Sequence, residues 1–154
     1  MQNHVFVIAE AGVNHNGKLE LAYKLVDAAK EAGADCVKFQ EYQKTKQEES
    51  QFSLLKRLEL SFDDFRKLQE YCQKKKILFL STPFDIESFY FLESIGMPMW
   101  KIASSEVENF QLLKAVARTH KPVILSTGMC DIQEIEETVK VLKRFNAGEI
   151  SILH

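Results

Sequence analysis

The sequence predicts an α/β protein built on parallel strands. Three observations carry that prediction. Six short, nearly all-apolar runs punctuate the chain, and about five helix-periodic segments separate them. The runs are continuous rather than alternating, as expected of strands covered on both faces. The chain has 154 residues, 45% of them hydrophobic, enough for one domain with a real core.

Val5-Phe6-Val7-Ile8-Ala9 reads as the first buried strand. Leu19, Ala22, Val26 and Ala29 follow at helical spacing, and Gly33 stands where a helix stops. Asp35 to Gln40 is the second strand. Residues 41–60 are polar and lack a period until Leu54, Leu55 and Leu58, so a long loop with at most a helical turn is expected. Ser61 and Asp64 frame a helix start before Phe65, Leu68 and Cys72. Ile77-Leu78-Phe79-Leu80 is the third strand, residues 85–95 a helix halted by Gly96, and Met97 to Ala103 a fourth strand entered through Pro98. Residues 107–119 form the next helix and Pro122 to Ser126 the fifth strand. Asp131 and Glu134 form a capping box for a helix whose Ile132, Ile135, Val139 and Leu142 share one face. Glu149 to His154 is the sixth strand.

Two architectures satisfy this rhythm. A doubly wound open sheet would be complete at this length, whereas a (β/α)8 barrel needs roughly 250 residues. The first strand-to-helix turn, Ala11-Gly12-Val13-Asn14-His15-Asn16-Gly17, has neither G-x-G-x-x-G nor a Walker lysine, so the common nucleotide-binding open sheets lose their main support.

Composition narrows the function. A net charge of -2 with interspersed signs points to neither nucleic acid nor a membrane surface as partner. No apolar run approaches bilayer length, and the cytosol is the expected compartment. Cys36, Cys72 and Cys130 are widely spaced, which argues against a disulfide framework or zinc knuckle.

The strand ends carry the chemistry. In order they present Glu10, Lys38 with Gln40, Ser81 with Thr82, Lys101 with Ser104 and Glu106, Ser126 with Thr127, and His154. In a parallel barrel such groups converge on one face. A lysine inside a strand-like run is costly unless it meets an anion. Lys38 therefore either binds a phosphate or carboxylate, or snorkels or pairs with Glu10 as a structural ion pair. Lys101, with Ser104 and Ser105 near it, favours anion binding, and a Schiff-base role is a further option. Glu10 and Glu106 either handle a proton or neutralise the lysines. His15 is a candidate substrate or metal contact. His4 and His120, at strand starts, read as structural. Ser126-Thr127-Gly128 reads as a donor loop or an ST-type turn.

Five ordered motifs make the pattern specific: residues 8–17 (Ile-Ala-Glu-Ala-Gly-Val-Asn-His-Asn-Gly), residues 33–40 (Gly-Ala-Asp-Cys-Val-Lys-Phe-Gln), Ser81-Thr82-Pro83-Phe84, Lys101-Ile102-Ala103-Ser104, and residues 124–129 (Ile-Leu-Ser-Thr-Gly-Met). Together they resemble the sialic acid synthase family, which includes N-acetylneuraminate, legionaminate and pseudaminate synthases and spore-coat polysaccharide proteins. The resemblance covers essentially the whole chain. It implies a (β/α)8 barrel, incomplete here at six strands and five helices. It also implies condensation of phosphoenolpyruvate with an N-acyl-mannosamine-type sugar in a cytoplasmic homo-oligomer, a dimer in the family. A divalent metal, manganese or magnesium, would polarise the sugar aldehyde. By matching motif positions, Lys38, Thr82, Lys101 and Ser104 would hold phosphoenolpyruvate, Gln40 would touch the sugar, and Glu10 and Glu106 would act near the reacting carbons. The resemblance places the two metal-binding histidines, the rest of the barrel and a C-terminal antifreeze-like domain outside residues 1–154. His154 matches a strand-six histidine that is not a metal ligand. The loop after Gln40 is shorter than in bacterial N-acetylneuraminate synthases and lacks a counterpart to their sugar-binding asparagine. The expectation is an N-terminal synthase segment, inactive by itself and prone to associate through uncovered strand edges. The competing expectation is a non-catalytic phosphoenolpyruvate- or phosphate-binding half-barrel or subunit.

Overall fold

Strand and helix alternate from end to end in the computed structural model, which describes residues 4–41 and 57–153. The elements are β1 (Ile8–Gly12), α1 (Leu19–Glu31), β2 (Cys36–Glu41), α2 (Phe62–Lys75), β3 (Leu78–Pro83), α3 (Ile86–Ser94), β4 (Trp100–Ile102), a 3-10 turn (Ser104–Glu106), α4 (Phe110–Ala117), β5 (Val123–Ser126), α5 (Ile132–Arg144) and β6 (Ile150–Leu153). The strands form two three-stranded sheets, ordered β1-β2-β3 and β4-β5-β6. Strand β1 runs parallel to β2, and β5 runs parallel to both β4 and β6. The chain divides into two compact units, Met1–Leu80 and Ser81–His154.

In the first unit, helix α1 buries Ala22, Val26 and Ala29, residues spaced by three and four on one face. Ser61 caps α2 by accepting the Asp64 amide at 3.1 Å, and α2 buries Phe65, Leu68 and Cys72. Phe79 stacks on Phe39 at 5.9 Å and meets the edge of Phe65 at 6.3 Å. Each such buried ring contributes roughly 1.5–3 kcal/mol. In the second unit Trp100 is fully buried against Phe89, ring centres 4.7 Å apart, and its indole N–H donates to Thr119 Oγ1 at 2.8 Å. Leu112, Leu113, Val116, Leu125 and Leu142 complete that core. The Asp131–Glu134 capping box forms as expected.

Four boundaries differ from expectation by three residues. β1 starts at Ile8, not Val5; Val5, Phe6 and Val7 are 75%, 44% and 49% exposed. The Val7 amide donates to the Asp35 carboxylate at 2.7 Å and its carbonyl accepts from the Asp35 and Cys36 amides, an anchor that occupies this segment before the ladder begins. β3 runs on through Ser81, Thr82 and Pro83, so these hydroxyls belong to the strand rather than to the loop after it. β4 is cut to three residues because Pro98 has no N–H to give a ladder; the first bond is Trp100 N–H to the Pro122 carbonyl at 2.8 Å. Helix α4 likewise starts three residues late, where the Asn109 side chain accepts the Leu112 amide at 3.2 Å. Leu54, Leu55 and His154 lie outside the described residues.

Candidate active site

In the first unit the parallel register sets Glu10 opposite Lys38, followed by a β-bulge between Glu10 and Gly12. Lys38 Nζ lies 2.7 Å from Glu10 Oε2. The pair is lopsided: the Lys38 side chain is 7% exposed and that of Glu10 54%. The Lys38 side chain is buried on the strand face opposite Val37 and Phe39, and the carboxylate that meets it is half in water. Glu10 therefore sits inside β1 rather than at its end. Gln40, two residues along β2 from Lys38, is half-buried and shares the Lys38 face.

His15 packs its ring 6.1 Å from Phe39 and is buried. Its Nδ1 accepts the Gly17 amide at 3.1 Å, which leaves the proton on Nε2, an atom with no hydrogen-bond partner among the described residues. Burial lowers its pKa, holding the ring neutral near pH 7. His15 thus ties down the β1–α1 turn. His4 bonds Asp35 at 2.7 Å, and His120 bonds the Asn146 carbonyl at 2.7 Å, so each has a structural contact.

In the second unit, Lys101 pairs in register with Ile124, which places Ser126 one pleat further along the same face. Lys101 is 8% exposed; its Nζ donates to Ser126 Oγ at 2.6 Å and to the Ile102 carbonyl at 2.9 Å. Ser104 and Glu106 sit in the 3-10 turn after β4. Glu106 accepts from the Asn109 amide side chain at 2.8 Å and from Ser105 Oγ at 3.2 Å. The Ser104 carbonyl accepts the Cys130 thiol at 3.5 Å. Thr82 is buried on β3, and the Ser81 hydroxyl beside it is buried with no hydrogen-bond partner among the described residues.

The structure thus joins Glu10 with Lys38 in one unit and arranges Lys101, Ser104 and Glu106 along one strand and its following turn in the other. Ser126 was read as a donor or an ST-type turn; it is the hydroxyl that holds Lys101. The register Lys101–Ile124 is the signal that would have found it. Thr127 instead donates to the Leu153 carbonyl at 2.8 Å. Among the described residues no cluster of three or more His, Cys, Asp and Glu side chains is arranged to hold a metal ion, and no helix is long and apolar enough to cross a membrane. Cys36, Cys72 and Cys130 are free thiols.

The likeness to known proteins is extensive. The N,N'-diacetyllegionaminic acid synthase of Legionella pneumophila is 45% identical over 163 residues, a stretch covering 95% of this chain and 46% of that protein. The crystal structure of N-acetylneuraminic acid (sialic acid) synthetase from Leptospira borgpetersenii superposes with a TM-score of 0.92 at 40% identity, covering 99% of this chain and 54% of that one. Phospho-2-dehydro-3-deoxyheptonate aldolase from Thermotoga maritima shares the fold alone, with a TM-score of 0.76 at 18% identity over 97% of this chain. The fold class is accordingly the (β/α)8-type barrel, represented among the described residues by six strands and five helices. This chain spans about half the length of the curated relatives it matches. The NeuB family model matches residues 25–154, and the chain belongs to the NeuB family.

Proposed function

We propose that this chain provides the phosphoenolpyruvate-binding strands of a nonulosonate synthase. The observation that carries the reading is Lys38, an ammonium buried on a parallel strand beside a carboxylate that is itself half in water. A buried cation is expensive to keep, and a dianionic substrate that turns that cost into affinity supplies a reason to keep it. Lys101, held by Ser126, is the second such group.

In this reading Lys38, Thr82, Lys101 and Ser104 hold the phosphate and carboxylate of phosphoenolpyruvate, and Gln40 touches the N-acyl-mannosamine-type sugar. Carbon 3 of the enol attacks the sugar aldehyde and forms the C–C bond. Water adds to the cation left at carbon 2, and inorganic phosphate departs. Glu10 and Glu106 act as orienting or proton-transfer groups near those carbons. The resemblance adds a divalent metal, manganese or magnesium, and a cytoplasmic homo-oligomer. The described residues offer no cluster for that metal, so none of the roles assigned to them runs through it.

Calorimetric titration of phosphoenolpyruvate into the chain, with and without manganese, tests the reading. Saturable binding is expected, weakened at least tenfold by Lys38→Met or Lys101→Met. A wild-type chain that takes up no phosphoenolpyruvate, or variants that bind as well as wild type, would overturn it. Phosphate release on adding N-acetylmannosamine separates a catalyst from a chain that binds only.

A further inference from the structure

The second unit carries an opening on its helical face that the barrel chemistry does not use. Helices α3 and α4 flank a cleft of about 520 Å³, within the size range of small-ligand sites. Ile86, Phe89 and Tyr90 give it an apolar wall, and Tyr90 is 63% exposed. Lys114 on α4 and Arg118, the residue that ends that helix one turn later, line its other side.

These two and Arg144 gather over a single ring, Phe145, which does not itself line the cleft. Arg118, Lys114 and Arg144 lie 5.4, 5.6 and 6.0 Å from the centre of Phe145. The ring quadrupole and the C-terminal carbonyls of α4 and α5 make the gathering tolerable. Neither cancels three positive charges. None of the three has a carboxylate partner among the described residues, whereas Lys121 nearby is neutralised by Glu93 at 2.6 Å. Glu93 is the acid that lines the cleft, and it is already engaged. Helix α4 itself contains no acidic residue.

From this juxtaposition we infer that the α3–α4 cleft binds a small anion carrying an apolar body, its phosphate or carboxylate group on Lys114 and Arg118 and its body against Phe89 and Tyr90. Arg144 strengthens the field without lining the cleft. The inference is independent of the proposed phosphoenolpyruvate site and concerns the second unit alone.

Phenyl phosphate is the probe, titrated into the whole chain and followed by amide shifts in nitrogen-15 spectra, with inorganic phosphate as the charge-only comparison. Saturating shifts centred on Tyr90, Lys114 and Arg118 are expected, with phenyl phosphate binding several-fold tighter than phosphate. Lys114→Glu with Arg118→Glu should weaken binding at least tenfold, and Tyr90→Ala several-fold, while Lys140→Glu on α5 leaves it unchanged. All four positions are exposed, and thermal unfolding of each variant confirms that it folds. Shifts scattered over surface lysines, equal affinity for the two probes, or a charge-reversed variant that binds like wild type would overturn the inference.

Discussion

Removing either partner of the Glu10–Lys38 pair should give unequal results, and the burial difference sets which loss is larger. Glu10→Gln keeps the shape and removes the charge, leaving the buried Lys38 ammonium without that carboxylate. Breaking a fully buried pair from one side costs about 3–5 kcal/mol. Glu10 is 54% exposed, so water screens much of what it supplies, and the expected loss falls to about 1–2 kcal/mol. At about 2–4 °C per kcal/mol for a domain of this size, the melting temperature should drop by about 2–8 °C. Lys38→Met leaves Glu10 a carboxylate that water already reaches, and it replaces a desolvated ammonium with an apolar chain of similar length. Its stability should stay within about 1 kcal/mol of wild type. Urea unfolding of both single variants and the double variant measures the cycle, with the double variant recovering most of the Glu10→Gln loss. If Lys38→Met proves as destabilising as Glu10→Gln, the lysine serves folding, and the argument that it is retained for an anion collapses.

Further predictions concern the frame around the site. Gly17 has φ +69°, and a Cβ there would collide with the Arg57 carbonyl oxygen, whereas Gly33, at φ +79°, faces open space. Gly17→Ala should therefore cost more than about 3 kcal/mol and Gly33→Ala about 1 kcal/mol in urea unfolding; equal costs would mean that the loop yields freely. The Asp35 carboxyl titrates below its usual range because the Val7 amide, and then His4, bonds its ionised form. A depressed folded pKa contributes stability that is fully present above the unfolded value of 3.8 and is lost as pH falls below it. Asp35→Asn should flatten the acid limb of the stability curve below that pH; an unchanged limb counts against the bond. Burial raises the Cys36 and Cys72 thiols to about 12, while Cys130 is only part-buried. At pH 8 a disulfide reagent should modify Cys130 first and the other two only on unfolding; simultaneous modification would show that the first unit opens readily.

The parts legible in the sequence were those governed by neighbours along the chain. The capping residues Ser61 and Asp131, the helix-ending Gly33 and the buried face of α1 each depend on spacings of three or four residues, and the sequence displays such spacings directly. Strand ends were read less well, because a strand stops where its partner stops offering bonds. The lead-in Val5-Phe6-Val7 is as apolar as any strand, yet the Asp35 carboxylate, 28 residues away, takes the Val7 amide before pairing begins. Pro98 shortens β4 by withholding a donor that composition does not reveal as needed.

The candidate site divides along the same line. Lysines embedded in apolar runs were visible as anomalies, because a charged residue among valine and phenylalanine needs a reason wherever the chain folds. What answers each lysine was not equally visible. Glu10 could be named from sequence because a parallel pair of similar strands puts similar positions abreast. Ser126 could not be separated from a turn residue, because its role follows from the Lys101–Ile124 register, a long-range fact. The two lysines accordingly meet different groups: Lys38 a carboxylate half in water on the strand that pairs with its own, and Lys101 a hydroxyl on its neighbouring strand and the carbonyl of the next residue. The first kind of partner announces itself in sequence by its charge, and the second does not, because a serine after a strand serves turns as readily as lysines.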